Sequence, residues 1–170
     1  NNHVIVGADE IEIEFFSGER LKATLIGTDE KTDIALLKVN AGKPLAFGAV
    51  RKQGGGDALF MGLPGNPLSS FVTFLLAVAP VLRAMQGLPG TLPEVLPLVA
   101  HFDWPQPDRR REFLRVRRNA GGGLDLFDNQ SSGVLTSAVW ADGLVDNPPG
   151  RAIAHGEVVA YRPLSTLIAI

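Results

Sequence analysis

Three groups of residues in this chain are of types that do chemistry. His3 and Asp33 set an imidazole and a carboxylate thirty positions apart. Acyl transfer needs both, the imidazole as general base and the carboxylate to fix its tautomer, together with a nucleophile and oxyanion donors. The bland alternative is a frayed terminal imidazole and a surface turn acid. The second group is Gly62-Leu63-Pro64-Gly65-Asn66-Pro67, a Gly- and Pro-rich connection into an apolar run, with Ser69 and Ser70 just beyond. A strand-to-helix turn of this kind exposes backbone N–H groups at a helix N-terminus, where an anion is favoured. Its alternative is a rigid connection that binds nothing. The third group is Arg115 among Arg109, Arg110, Arg111, Arg117 and Arg118. An arginine fork suits a tetrahedral oxyanion, but such a run also suits a solvated strand face. Only Phe113 is interleaved with it as an aromatic, so single-stranded nucleic acid, which needs stacking platforms, is not expected as a partner.

The whole chain narrows these choices. It has 170 residues, 45% hydrophobic and 20% charged, which is an ordinary globular balance. A net charge of −2 gives no global reason to expect nucleic acid. The absence of cysteine excludes disulfides, thiolate zinc sites and iron–sulfur clusters. Asn1-Asn2-His3-Val4 has no basic n-region leading into an apolar h-region, so a signal peptide is not expected, and without a Met the chain is expected to begin inside something longer. The most apolar stretch, Phe71–Leu82, is interrupted by Pro80 and followed by Arg83. It is shorter than the ~20 residues of a bilayer span, so a buried helix and no membrane are expected.

The positioning elements follow from hydrophobic period. Residues 10–16 alternate charged and apolar side chains, Ser17-Gly18 is a turn signal, and Arg20–Ile26 alternates again, which predicts a hairpin. Thr32–Val39 is a third strand of this barrel-like block. Leu45–Val50 and Ala58–Met61 predict two strands joined through Gly54-Gly55-Gly56. A helix then runs to Gln86, with Asn66 as N-cap, Pro67 first in the helix, Gly87 beyond its end and a bend at Pro80. Pro89–Pro97 predicts a linker. Leu96–His101, Glu112–Arg117, Gly123–Phe127 and Glu157–Arg162 predict the strands of a small barrel or sandwich. The fold class is therefore β-rich α+β with one dominant helix, divided as 1–41, 42–88 and 89–170.

Two resemblances overlie this pattern. Asn1-Asn2-His3-Val4, Gly7-Ala8-Asp9-Glu10-Ile11, Ser17-Gly18-Glu19 and Lys31-Thr32-Asp33-Ile34-Ala35-Leu36-Leu37 resemble HtrA-type serine proteases. The resemblance implies strands of a trypsin-like barrel, His3 as general base, Asp33 as its orienting partner, and a periplasmic setting for that family. The family's Gly-Asn-Ser-Gly-Gly nucleophile never appears, because Ser69, Ser70, Ser131 and Ser132 sit in other contexts.

Residues 42–170 resemble molybdopterin molybdotransferases, the family of MoeA and the gephyrin E domain. The motifs are Gly42-Lys43-Pro44-Leu45-Ala46-Phe47-Gly48, Gly62–Ser70, Arg111-Glu112-Phe113-Leu114-Arg115, Asn129-Gln130-Ser131-Ser132-Gly133 and Trp140-Ala141-Asp142-Gly143-Leu144, in family order. This implies part of an α/β molybdopterin-binding domain with one long helix, then a small C-terminal β-barrel, in a cytoplasmic protein. It implies cofactor contacts from Pro64, Gly65, Asn66, Pro67, Ser69, Ser70, Arg115 and Ser132, toward molybdopterin and molybdate. The family's phosphate loop and acidic magnesium ligands lie upstream of the Gly42 strand, where the protease-like block stands instead. Lys43 is kept, whereas Asn40 stands where the family usually has a Lys. A recombined or engineered chimera without enzymatic activity is expected, binding at most a small anion. Phe71–Val78, apolar on every face, predicts a homodimer or a domain-swapped pair.

Overall fold

Alternation of charged and apolar residues in two strands, and short apolar runs in three more, build the first of two antiparallel sheets. The computed structural model describes residues 5–7, 11–15, 20–31, 34–38, 45–51, 57–88 and 94–168, in two compact units, 1–64 and 65–170. In the first unit β1 (Ile11–Phe15), β2 (Arg20–Asp29), β3 (Ile34–Lys38), β4 (Ala46–Arg51) and β5 (Asp57–Gly62) form one sheet of order β3-β2-β1-β4-β5. Ile13, fully buried, lies opposite Leu21, and a bulge shifts the β2–β3 register between Leu25 and Gly27. Glu14 and Phe15 of β1 pair with Ala49 and Gly48 of β4. The strands that the sequence placed in a protease-type barrel thus share a sheet with the first strands of the other segment. Pairing across the join satisfies the backbone groups of both.

The second unit opens with α1 (Pro67–Met85), a continuous helix of 19 residues. That is seven residues more than the apolar run Phe71–Leu82, and it makes the helix long and apolar enough, by length and composition, to cross a membrane. The Asn66 side chain accepts from the N–H groups of Leu68 and Ser69 at the N-terminus, and Pro67 occupies the first turn. Gly87 follows the last turn with φ 73°, a left-handed conformation that glycine adopts without steric cost. Around Pro80 the structure shows a π-helical stretch, Phe74–Val78, in which Ala79 N–H donates to the Phe74 carbonyl five residues back. Proline has no N–H to donate and its ring crowds the carbonyl four residues earlier, and one wide turn relieves both problems.

β6 (Leu96–Val99), β7 (Glu112–Arg118), β8 (Leu124–Leu126), α2 (Thr136–Trp140), β9 (Gly143–Asn147), β10 (Val158–Pro163) and α3 (Leu164–Ile168) complete the unit. The sheet order is β6-β10-β9-β7-β8, and the sheet curls until Ala100, just past β6, forms a bridge with Leu124 of β8. Period two sorts its side chains. Leu114, Val116, Val145, Val159 and Tyr161 pack inside the curl with Ala100, Phe102, Leu124 and Ile153. Leu144, from the opposite face, packs with Leu75 of α1 and with Leu164 and Leu167 of α3, and Phe113 and Trp140 join that cluster. The two helices of this region are five residues each, so α1 is the only long helix among the described residues.

Tyr161, the single tyrosine of the chain, is fully buried and lies 2.8 Å from Asp142 Oδ1, to which its hydroxyl donates. Burial, then the Asp142 carboxylate, push its phenol well above the usual tyrosine value, because both disfavour a phenolate. A group whose folded pKa is raised contributes stability that is complete below its unfolded value, about pH 10, and is lost as pH rises beyond that. Alkaline titration should therefore show no phenolate absorbance until the second unit unfolds. A reversible phenolate signal near pH 10 with the fold intact would contradict this packing.

Candidate functional site

Arg115 organises the strongest candidate. It sits on the outer face of β7 and is 7% exposed, which is unusual for an arginine. Its Nε donates to Ser137 Oγ at 3.2 Å, and its Nη2 donates to the carbonyls of Asn129 and Ser131, both at 3.3 Å. These acceptors are neutral, and no carboxylate pairs with Arg115 among the described residues. Burial pushes its pKa down from the usual guanidinium value, yet arginine stays charged in proteins. The result is a buried cation without a counter-charge, which an anion would stabilise.

The loop it holds is built around Gln130. The Gln130 amide lies beside Arg115 as a strand would: Oε1 accepts from Arg115 N–H at 2.9 Å, and Nε2 donates to the Arg115 carbonyl at 3.0 Å. Nε2 also donates to the Phe127 carbonyl at 2.8 Å. Asn129 Oδ1 accepts from Ser131 N–H, Ser131 Oγ from Gly133 N–H, and the Ser131 carbonyl from Val134 N–H. Ser132 rides exposed on this loop, and its side chain makes no hydrogen bond among the described residues. Arg115 and Ser132, expected together, are thus brought onto one substructure. The fork of Arg115, expected to face a ligand directly, is instead largely engaged by the loop. Gln130 and Ser137 carry the geometry and were not singled out as site residues. Gln130 lies within a quoted motif, but nothing in the sequence marks Ser137.

The other candidates are placed differently. Asn66 caps α1 with the N–H groups of Leu68 and Ser69, and Ser70 N–H donates to the Asn66 carbonyl. An anion at this terminus would compete with the cap for those donors. Gly65 is exposed, whereas Pro64, Ser69 and Ser70 are half-buried. No hydrogen bond links Asn66–Ser70 with Arg115 or Ser132 among the described residues. His3, Asp33, Asn40 and Lys43 lie outside the described residues.

Residues 97–164 match the family model of the MoeA C-terminal region (domain IV). The molybdenum cofactor synthesis protein cinnamon of Drosophila melanogaster is 36% identical over 116 residues, 66% of this chain and 18% of that protein. The crystal structure of a molybdopterin biosynthesis MoeA protein from Pyrococcus horikoshii OT3 shares the fold, with a TM-score of 0.53 at 24% identity over 69% of this chain and 29% of that one. At the other end a probable periplasmic serine endoprotease, DegP-like, from Pseudomonas savastanoi pv. phaseolicola is 58% identical over 45 residues, 26% of this chain and 9% of that protein. The larger segment therefore resembles MoeA proteins and carries their C-terminal region, while a short segment resembles DegP-like proteases. The chain spans a small part of each relative it matches.

Proposed function

We propose that this chain contributes the oxyanion-holding part of a molybdate-insertion site and does not perform the insertion alone. The observation that carries this is the buried, uncompensated Arg115 holding the Ser131 carbonyl, next in the chain to the exposed Ser132, in a segment similar to molybdenum-cofactor-synthesis proteins. Molybdate, as substrate, or the phosphate of molybdopterin would accept from Ser132 and be held by the positive potential of Arg115. The magnesium of the parent family has no equivalent in this proposal, since the acidic ligands that the family carries upstream are replaced here by the protease-like block. The cellular setting follows the larger segment, hence cytoplasmic, and α1 supports self-association because much of its apolar surface is only half-buried.

Molybdate titration by NMR tests it. Saturable shifts at Ser131, Ser132 and Gly133, with a Kd of about 1 mM, or ~4 kcal/mol, are expected. Ser132→Ala should weaken binding several-fold while leaving stability within about 0.5 kcal/mol, as befits an exposed hydroxyl. Shifts confined to Gly65–Ser69, or none at this loop, would remove the assignment. The DegP-like match favours a second reading, a serine endopeptidase fragment. Fluorophosphonate labelling of a serine, abolished by His3→Ala, would support it; no labelling is expected, because nucleophile and oxyanion donors are missing.

A further inference from the structure

A second anion site emerges from a charge count on the same sheet. Asp146 of β9 is buried, with its side chain 4% exposed, and it takes two arginines. Arg162 of β10 donates Nε at 3.0 Å and Nη2 at 2.7 Å to Oδ2. Arg111, one residue before β7, donates Nε at 2.6 Å to Oδ1. Arg162 alone neutralises the carboxylate, so the charge of Arg111 is surplus. Arg111 is attached through Nε only, and its side chain is 60% exposed. Its Nη1 and Nη2, four N–H donors in one plane, have no acceptor among the described residues.

We propose that Arg111, seated on Asp146 and backed by Arg162, binds a phosphate dianion such as that of a phosphate monoester, at a site separate from Arg115 and Ser132. A bridge serving only stability needs one guanidinium for one carboxylate. Here the second is anchored by a buried acceptor, which fixes its orientation while leaving its paired donors open. Anchoring lowers the entropy lost on binding, and a planar fork matches two oxygens of a phosphate. Arg162 removes the repulsion that Asp146 would otherwise exert on the ligand. The exposed Arg109 and Arg110 next to Arg111 add positive potential, although Arg110 is paired with Asp108. That potential favours a dianion over a carboxylate. Arg111 and Arg115 are four residues apart, roughly 13 Å at the rise of a strand, so one phosphate does not reach both.

The test follows the arginine Nε–H resonances of the full chain as methyl phosphate is added at constant ionic strength, at about pH 7.5 where a phosphate monoester with its second pKa near 6 is dianionic. Saturable shifts are expected at Arg111 and Arg162, and any response at Arg115 and Ser132, where the proposed function also admits an oxyanion, is fitted as a separate site. Acetate at the same ionic strength should bind about tenfold more weakly, a difference equivalent to about 1.4 kcal/mol. Arg111→Gln should abolish saturation, and because Arg111 is exposed this variant is expected to keep its dispersed spectrum. Arg162→Gln leaves Arg111 in place but converts it to one half of a neutral pair, and should weaken binding about tenfold. If Arg162→Gln fails to fold, Arg111→Gln decides. Absence of saturation up to about 20 mM methyl phosphate, an equal response to acetate, or unchanged binding in Arg111→Gln overturns the proposal. None of these outcomes touches the molybdate reading, which is scored at Ser131–Gly133.

Discussion

Gly143→Ala is expected to destabilise the second unit by about 3 kcal/mol or more, from overpacking and from a broken, partly buried hydrogen bond. Gly143 begins β9, paired with Val116 of β7 and Pro163 of β10. A Cβ there would lie 2.6 Å from Tyr161 Oη and would overlap ring atoms Cζ and Cε2. The ring has nowhere to go. It is fully buried among Val116, Val145 and Val159, and its hydroxyl is tied to Asp142. Moving it costs packing of the kind that runs to about 1–3 kcal/mol and strands a polar group worth a similar amount. For a unit of this size the melting temperature should fall by roughly 12 °C or more. The double variant Gly143→Ala, Tyr161→Leu should cost less than the sum of the singles, since the smaller side chain removes the collision. A Gly143→Ala protein within about 0.5 kcal/mol of its parent, the range of an unremarkable surface change, would mean that β9 and β10 are not in this register.

How much of this was legible in the residues depends on how local the cause is. β1 and β2 are readable because charged and apolar residues alternate along them, β3 because Ile34-Ala35-Leu36-Leu37 is an apolar run, and Asn66, Pro67 and Gly87 mark the ends of α1 by their own backbone preferences. β9 was not readable as a strand. All five of its residues are buried, including Asp146 and Asn147, so neither alternation nor an apolar run announces it. Its acidic residue is tolerated only because Arg111 and Arg162 arrive from 35 and 16 positions away. Pro80 signalled an irregularity, and its form is a wide turn upstream of the proline. The site divides in the same way. The family motifs pointed to Arg115 and Ser132, and the structure places both on one substructure. That Arg115 spends its donors on Asn129, Ser131 and Ser137 is a product of contacts 14 to 22 residues apart, which no local pattern encodes.

Arg115→Ala should collapse that substructure. Two effects oppose each other. Removing a buried cation with no carboxylate partner relieves a desolvation cost. Against it stand three hydrogen bonds from a charged donor, each worth about 1.5–3 kcal/mol before non-additivity, and the packing of the arginine stem. Ser137 Oγ, which is buried, would lose its donor, while the Asn129 and Ser131 carbonyls, on exposed residues, would turn to water, so the losses win by about 1–3 kcal/mol. Arg115→Met separates the terms: it keeps the stem and removes the charge, and should cost less than Arg115→Ala. Arg115→Lys keeps the charge, but its compact ammonium has no planar fork to span Ser137 and the loop carbonyls. If the guanidinium holds the loop, all three variants should lose amide protection at Gly133 and Val134, whose N–H groups donate to Ser131. Gln130→Ala should lose it too, because the Gln130 amide is the other half of the lock on Arg115. Unchanged protection at Gly133 and Val134 in Arg115→Ala, with stability within about 0.5 kcal/mol of the parent, would show that the loop holds itself and that the buried arginine has no structural part in presenting Ser132.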